Sequence, residues 1–340
     1  MIYFAKIFVF AFILSYIITP LMIILANKLK IVDNPALNKA HKRSTPLLGG
    51  VGIYVSLMAT LFFLGETGSL GNVVLFTTGM VLLVGILDDK LKISAVVKFI
   101  ILVILSLLVA LNGIVITMFS NAQANIILTI LWLVGISSAF NAVDNTDGLC
   151  SGLSLSSCIL FSIVAIQTGQ HKFGALSLIL AGAIAGFIPY NFPNAKIFLG
   201  NSGSFFIGFI LGLLAMLGAW SKDRVIAFTF PLLILFIPIF DICFVVIYRI
   251  KSRVTTTLKD VINHSGTDHI SHRLIGLGFT RAQTVLFLVI LSVSFGLGAI
   301  VLRSSNNFLD AFLLFLQAIL LFMIIIMLII IKRQKSDKII

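Results

Sequence analysis

Charge is scarce in this chain of 340 residues, and acidic charge scarcest. Lys, Arg, Asp and Glu together make 11% of it, and only 12 residues are Asp or Glu. A soluble globular domain carries about 25% charged residues, so most of this sequence cannot be the surface of a globule in water. Cysteine is also thin: Cys150, Cys158 and Cys243 stand far apart in no zinc or redox pattern, and an odd number argues against a full disulfide framework. They read as small apolar packing residues. The basic residues are dispersed and lack interleaved aromatics, which argues against nucleic acid as a partner. An internal repeat with matching broken helices is absent, and the carboxylates sit at helix ends instead of mid-helix, where ion relays are usually found; both weigh against a secondary transporter. No small-residue cleavage site follows the first apolar run, Phe4 to Ala26, so a retained helix is expected there rather than a signal peptide.

What is there is apolar. Hydrophobic residues make 59% of the chain and its mean hydropathy is +1.16. Runs of spanning length fall near residues 4–27, 47–64, 71–87, 98–118, 124–140, 152–168, 173–189, 203–220, 226–248, 282–302 and 309–331. The expected fold is an all-α polytopic membrane bundle of about eleven helices, a single membrane-embedded domain over 1–340. Of the 24 Lys and Arg residues, 19 fall in one set of alternate loops and 5 in the other, which puts the N-terminus outside and the C-terminus in the cytoplasm. The net charge of +12 is thus first a topology signal, with attraction to anionic membrane lipids besides. The basic-side loops, near 28–46, 88–97, 141–151, 190–202 and 249–281, hold almost every unusual residue. Function is expected to face the cytoplasm.

Those loops carry the chemistry. In IVDNPALNKAHKRSTPLLGGVGIY, Lys39, His41, Lys42 and Arg43 supply cations, and Gly49-Gly50 opens the next helix, whose N-terminus favours an anion. Taken alone, this loop reads equally well as a positive-inside anchor. LDDKLKISAVVK sets Asp88 beside Asp89, with Lys98 following. Adjacent carboxylates at a membrane edge repel and lose solvation, so a half-buried pair wants cationic partners or a divalent cation. Mg²⁺ commonly takes one or two carboxylates plus substrate phosphate oxygens. FNAVDNTDGLCSG puts Asn141, Asp144, Asn145 and Asp147 in one short loop without a cation. With Asp88 and Asp89 that makes four carboxylates at one face, which favours a metal and phosphate site.

YNFPNAKIFLGNSGSFFIGF holds Asn191, then Gly200, Ser202, Gly203 and Ser204 just before a helix, an arrangement suited to cradling phosphate with backbone N–H groups. In GTDHISHRLIGLG, His269 and His272 are three apart and share a face if the segment is helical, beside Arg273. No third ligand stands at zinc spacing and Arg273 would repel a cation, so phosphate contact is the better reading.

Taken in order, DNPALNKAH…P…GG, ILDDKLKISAVVK, NAVDNTDGL, YNFPNAKIFLGNSGS, PIFD and DHISHRL resemble the motifs of the polyprenyl-phosphate N-acetylhexosamine-1-phosphate transferases, from about residue 30 to 280. The resemblance implies transfer of an N-acetylhexosamine-1-phosphate, N-acetylglucosamine being favoured, from a UDP-sugar to undecaprenyl phosphate, with UMP released. It implies a multi-pass protein of the bacterial plasma membrane and Mg²⁺ as cofactor, Mn²⁺ being an alternative. By position, Asp88 and Asp89 match the family's Asp pair, implied to be catalytic and to hold the metal. Asn141, Asp144 and Asp147 match its nucleotide-site loop, the two Asp residues being counted as catalytic. Lys39, His41, Lys98, Asn141, Asn191, Gly200, Ser202, Gly203, His269, His272 and Arg273 are the expected substrate contacts.

One departure stands out. Asn201 occupies a position where the family has Asp as a metal ligand; its carbonyl oxygen can still reach Mg²⁺ but brings no negative charge. Asn38 likewise stands where relatives often have Arg. The alternatives are a catalytically impaired relative and, further off, a lipid-phosphate or nucleotide-sugar transporter, for which Asp241 in PIFD is the one polar candidate within a span. A homodimer stays open.

Overall fold

The structure is a computed structural model, and it describes residues 2–34, 44–65, 71–251, 268–305 and 308–336. Their order is α1 (Ile2–Leu29), β1 (Val32–Asp33), β2 (Thr45–Pro46), α2 (Gly49–Phe63), α3 (Asn72–Leu91), α4 (Ala95–Leu111), α5 (Ala122–Val143), α6 (Leu149–Gln167), α7 (His171–Asn191), α8 (Gly200–Leu217), α9 (Arg224–Ile234), α10 (Phe236–Lys251), α11 (Ile270–Gly276), α12 (Arg281–Ser305) and α13 (Phe308–Ser336). The chain is an all-α polytopic membrane protein. Eight of these helices are long and apolar enough to cross a membrane, or nine if the bent pair α9–α10 counts as one span. The shorter apolar helices α2 and α4 lie on the other two expected runs.

Burial runs inward to α8. Over its length 83% of the residues are buried, against 22% of the best spanning window in α1 and in α13, so α8 is the axis of the bundle. It packs on α2, α3 and α5, while α7 bridges α1, α2 and α6, and α12 covers α6 and α9. The outer helices present Ile17 and Ile24 of α1 and Ile290 of α12 outward, where lipid is the natural solvent.

Three expected spans are corrected, each for a local reason. The run 98–118 stops being helical at Leu111, although its apolar character continues. Gly113 turns the chain at φ +85°, and residues 116–119 are then caught by α5: Ile116 N–H donates to Thr129 Oγ1 at 2.9 Å, and Met118 and Phe119 N–H both donate to Asn125 Oδ1. The run 226–248 is broken into α9 and α10 with an 80° bend. Pro238 has no N–H to return to the Ile234 carbonyl, which frees the chain to turn there. The run 71–87 continues to Leu91, so Asp88 and Asp89 stand on the last turn of α3 and not in a loop.

The segment preceding α8 is stitched to the entrance of α2. β1 and β2 pair antiparallel, Val32 opposite Pro46, and the strand path continues as Phe198 N–H donates to the Pro46 carbonyl at 2.8 Å. Gly49 and Gly50 N–H donate to the Phe198 and Leu199 carbonyls, both at 3.0 Å. The anion site expected at this glycine pair is therefore absent: its donors are spent on backbone.

Candidate active site

The N-terminus of α8 is pressed between α2 and α3. A Cβ on Gly85 would overlap the Ser202 backbone, and one on Gly50 the Gly203 backbone, so only glycine lets the three helices meet this closely. The approach brings the last turn of α3 onto the α8 N-terminus, and Asp89 caps it. Its Oδ1 accepts the Asn201 N–H at 2.8 Å and its Oδ2 the Ser202 N–H at 3.1 Å. Gly200, at φ +72°, lies so close that a Cβ there would strike Asp89 Oδ2 at 2.6 Å. An anion does sit on this helix terminus, as its dipole and free N–H groups favour, but it belongs to the protein. The expected phosphate cradle of Gly200, Ser202 and Gly203 is filled by Asp89, and the Ser202 hydroxyl turns back to the Leu199 carbonyl.

Asp88 points elsewhere. Its side chain is 3% exposed and pairs with Lys98 Nζ at 2.7 Å, the lysine also lying 5.5 Å from the Phe205 ring centre. Lys98 stands in the first turn of α4, one turn after Ser94, whose hydroxyl caps that helix. The adjacent carboxylates thus divide, one to a cation and one to backbone donors.

The loop between α5 and α6 approaches from the other side. Asn141 Oδ1 accepts the Ser204 hydroxyl at 2.8 Å, which fastens the end of α5 to α8. Asp147 Oδ2 accepts the Ala195 N–H at 3.2 Å. Asn191 is 2% exposed and spends both ends of its amide on the protein: Oδ1 takes the Gly148 N–H and the Ser151 hydroxyl, while Nδ2 donates to the Ile197 carbonyl. It shapes the loop between α5 and α6. Asp144, half-buried at the end of α5, has no hydrogen-bond partner among the described residues. Burial above all, then the charges of Asp89 and Asp147, push its carboxyl well above the usual range.

The histidine segment completes the end of the bundle. Ser271 donates to Asn145 Oδ1 at 2.6 Å, tying α11 to the carboxylate loop. His269 Nδ1 lies 2.7 Å from Asp241 Oδ2, and Ile270 N–H donates to Asp241 Oδ1 at 2.8 Å. Arg249 grips Asp268 through Nε at 2.6 Å and Nη2 at 2.9 Å. Burial raises the Asp268 carboxyl, but this pairing with Arg249 outweighs it and holds the group below its usual range. Arg273 stacks over Tyr248, 4.3 Å from the ring centre, and over Phe244 at 4.9 Å, with Nε on the Asp268 carbonyl. Burial first, and the His269 charge next, hold the His272 imidazole below its ordinary range.

So the structure brings together Asp89, Asn141, Asp144, Asp147, Asn201 and, through Asn145, the histidine segment. Lys39 and His41 lie outside the described residues, as does Asn38. Sequence reasoning passed over Arg249 and Asp268, weighed Ser204 only as part of a phosphate cradle, and weighed Asp241 only for transport. The available signal was an ionisable residue inside an apolar helix, which calls for a named partner.

A cation fits this donor set. Among the described residues no three His, Cys, Asp or Glu side chains are arranged to hold a metal ion by themselves. Mg²⁺ asks for less, since it keeps several waters and takes one or two carboxylates plus substrate phosphates. The Asp144 carboxyl faces the charges of Asp89 and Asp147, and neither it nor the Asn201 side chain has a hydrogen-bond partner among the described residues.

Comparison with known proteins gives the same direction. A family model described as glycosyl transferase family 4 matches residues 72–219. The chain is 33% identical over 322 residues to a Bacillus subtilis protein named probable undecaprenyl-phosphate N-acetylglucosaminyl 1-phosphate transferase, a match covering 91% of this chain and 88% of the relative. It is 28% identical to the Mycobacterium leprae decaprenyl-phosphate N-acetylglucosaminephosphotransferase, over 87% of this chain and 83% of that one. With the Thermotoga maritima undecaprenyl-phosphate alpha-N-acetylglucosaminyl 1-phosphate transferase it shares 30% identity, over 84% and 86% respectively.

Proposed function

Because the chain belongs to glycosyl transferase family 4, we propose that it transfers N-acetylglucosamine-1-phosphate from UDP-N-acetylglucosamine to undecaprenyl phosphate, releasing UMP, as one membrane-embedded transferase domain with its site on the cytoplasmic side. The observation that carries the reading is Asp144, without a hydrogen-bond partner among the described residues, at the end of the bundle where Asp89, Asn201 and the histidine segment gather.

The acceptor's physics explains a site at the rim of a membrane bundle. A polyprenyl chain leaves the bilayer at a cost of about 0.8 kcal/mol per CH₂, so its phosphate is met at the interface. Mg²⁺, bound by Asp144 with help from Asp89 and the Asn201 carbonyl oxygen, would supply charge neutralisation for the donor pyrophosphate. The residues do the rest. Asp147 and Asn141 hold the α5–α6 loop at the fixed distance from α8 that the nucleotide needs. Lys98, already held by Asp88, is the cation that meets the acceptor phosphate, and His269 and His272 meet the phosphates from the α11 side. In phosphoryl transfer the chemical burden is charge on oxygens, so positioned cations and donors account for most of the rate.

Asn201 favours a second reading, a lapsed enzyme whose metal affinity is too low. One experiment separates the two: incorporation of labelled UDP-N-acetylglucosamine into lipid in detergent with undecaprenyl phosphate and Mg²⁺, for wild type, Asn201→Asp and Asp144→Asn. Label in wild type that disappears in Asp144→Asn is the expected outcome. Silence in wild type with activity in Asn201→Asp would establish the lapsed enzyme, and silence in all three would sink the transferase.

A further inference from the structure

Asp241, Phe244, Tyr248 and Arg249 lie at i, i+3, i+7 and i+8 on α10, hence on one face, and all four hold residues 268–273. This face works as a rail for the histidine segment, and Asp241 reaches a histidine ring from it. We propose that Asp241 is a positioning residue that fixes His269 with the proton on Nδ1, so that Nε2 is the nitrogen that meets substrate phosphate. The substrate in this statement rests on the function proposed above; the ring state rests on geometry alone.

The argument is one of donors and acceptors. Asp241 is 3% exposed and, as a carboxylate, offers only acceptors; one oxygen takes the Ile270 N–H and the other faces Nδ1 at 2.7 Å. Nδ1 must therefore carry its hydrogen, whether the ring is neutral or charged. Nε2 has no partner among the described residues, and the ring is held between α10 and the Asn145 loop by the neighbouring Ser271. A carboxylate behind a histidine fixes its tautomer and ring orientation; at metal-bound histidines losing such an outer partner costs about 10–100-fold, and the same scale is expected here.

Asp241→Asn reverses the ring without removing the anchor. The amide oxygen keeps the Ile270 N–H, which leaves the NH₂ facing Nδ1 and drives the proton to Nε2. In ¹⁵N-histidine spectra of the detergent-solubilised full chain, with His269→Gln used for assignment, the wild-type ring is expected to be protonated on Nδ1 and the Asp241→Asn ring on Nε2. Transfer kcat is expected to fall about 10–100-fold in Asp241→Asn. The same change made in a His269→Gln background should cost nothing further, whereas a merely structural role would cost as much in both backgrounds. A wild-type ring protonated on Nε2 alone, or a kcat for Asp241→Asn within about twofold of wild type, would overturn the proposal. Should wild type transfer no label at all, the functional reading fails, while the spectra still decide the ring state by themselves.

Discussion

Two pairs of carboxylates face the same end of the bundle, and they differ in the partners they find. Asp88 and Asp89 are neighbours in sequence, the more conspicuous pair, and both are satisfied within the protein: Asp88 by Lys98 at 2.7 Å, Asp89 by two backbone N–H groups of α8. Asp144 and Asp147 look less paired, yet Asp144 lacks any hydrogen-bond partner among the described residues and feels the charges of Asp89 and Asp147. A satisfied carboxylate holds structure, because leaving a buried charge unpaired is costly. An unsatisfied one is an invitation to a cation. The contrast accords with the proposed division of roles, architecture chiefly from the α3 pair and cation binding chiefly at Asp144.

The sharpest way to break this assignment is Asp144→Asn. Loss of a group that organises transition-state charge costs about 100–1,000-fold, so kcat for label transfer should fall by that much while the chain stays folded. If Asp144→Asn retains most of its rate and Asp89→Asn does not, the assignment is reversed.

Next in size is Lys98→Met, which strands Asp88. Breaking a buried pair costs about 3–5 kcal/mol, and because Lys98 is partly exposed the lower end is expected, read as a lower thermal midpoint. Adding Asp88→Asn should recover part of that loss, since no buried charge is then left alone. A double variant as unstable as Lys98→Met would mean the pair does not hold α3 to α4.

Asn201→Asp is the milder test. A third negative charge near Asp144 should lower the Mg²⁺ concentration for half-maximal activity by about tenfold, the strength gained by adding a charged ligand at a flexible site. No change in the Mg²⁺ requirement would remove Asn201 from the metal site.

Much of this site was legible in the sequence, because scarcity does the marking: in a chain with 12 acidic residues, the segments where they cluster stand out. Five basic-side segments were expected at one end, and contacts such as Asp89 with Asn201, Asp147 with Ala195 and Asn145 with Ser271 join four of them there. The roles within the site were not legible. Asp89 and Asn201 are 112 residues apart, and nothing local tells that α8 will present its N–H groups to that carboxylate and so consume its own phosphate cradle. Hydropathy likewise ran through Leu111 and Leu235, since an apolar segment that leaves the helix is still apolar. The breaks were set by a left-handed glycine and a proline, which averaging over a window hides.

The smallest effect expected is a pH slope, and its sign follows from Asp144. An ordinary carboxyl in the unfolded chain ionises near 3.9, whereas burial and the charges of Asp89 and Asp147 delay ionisation of Asp144 in the fold. Above the unfolded value the folded chain therefore holds a proton that the unfolded chain has lost. The contribution is fully present below the unfolded pKa and declines as pH rises, until Asp144 ionises in the fold as well. His272 acts in the opposite sense, its depressed pKa making the fold gain stability as pH rises through the histidine range, so wild type must be compared with Asp144→Asn to isolate the carboxyl. Thermal midpoints in chelator from about pH 4 to about pH 8 should fall with pH more steeply, or rise less, in wild type than in Asp144→Asn. Mg²⁺ should remove the difference, because a bound cation favours the ionised form of Asp144. Equal slopes in the two proteins already in chelator would leave Asp144 no different from its neighbours and dissolve the contrast between the pairs.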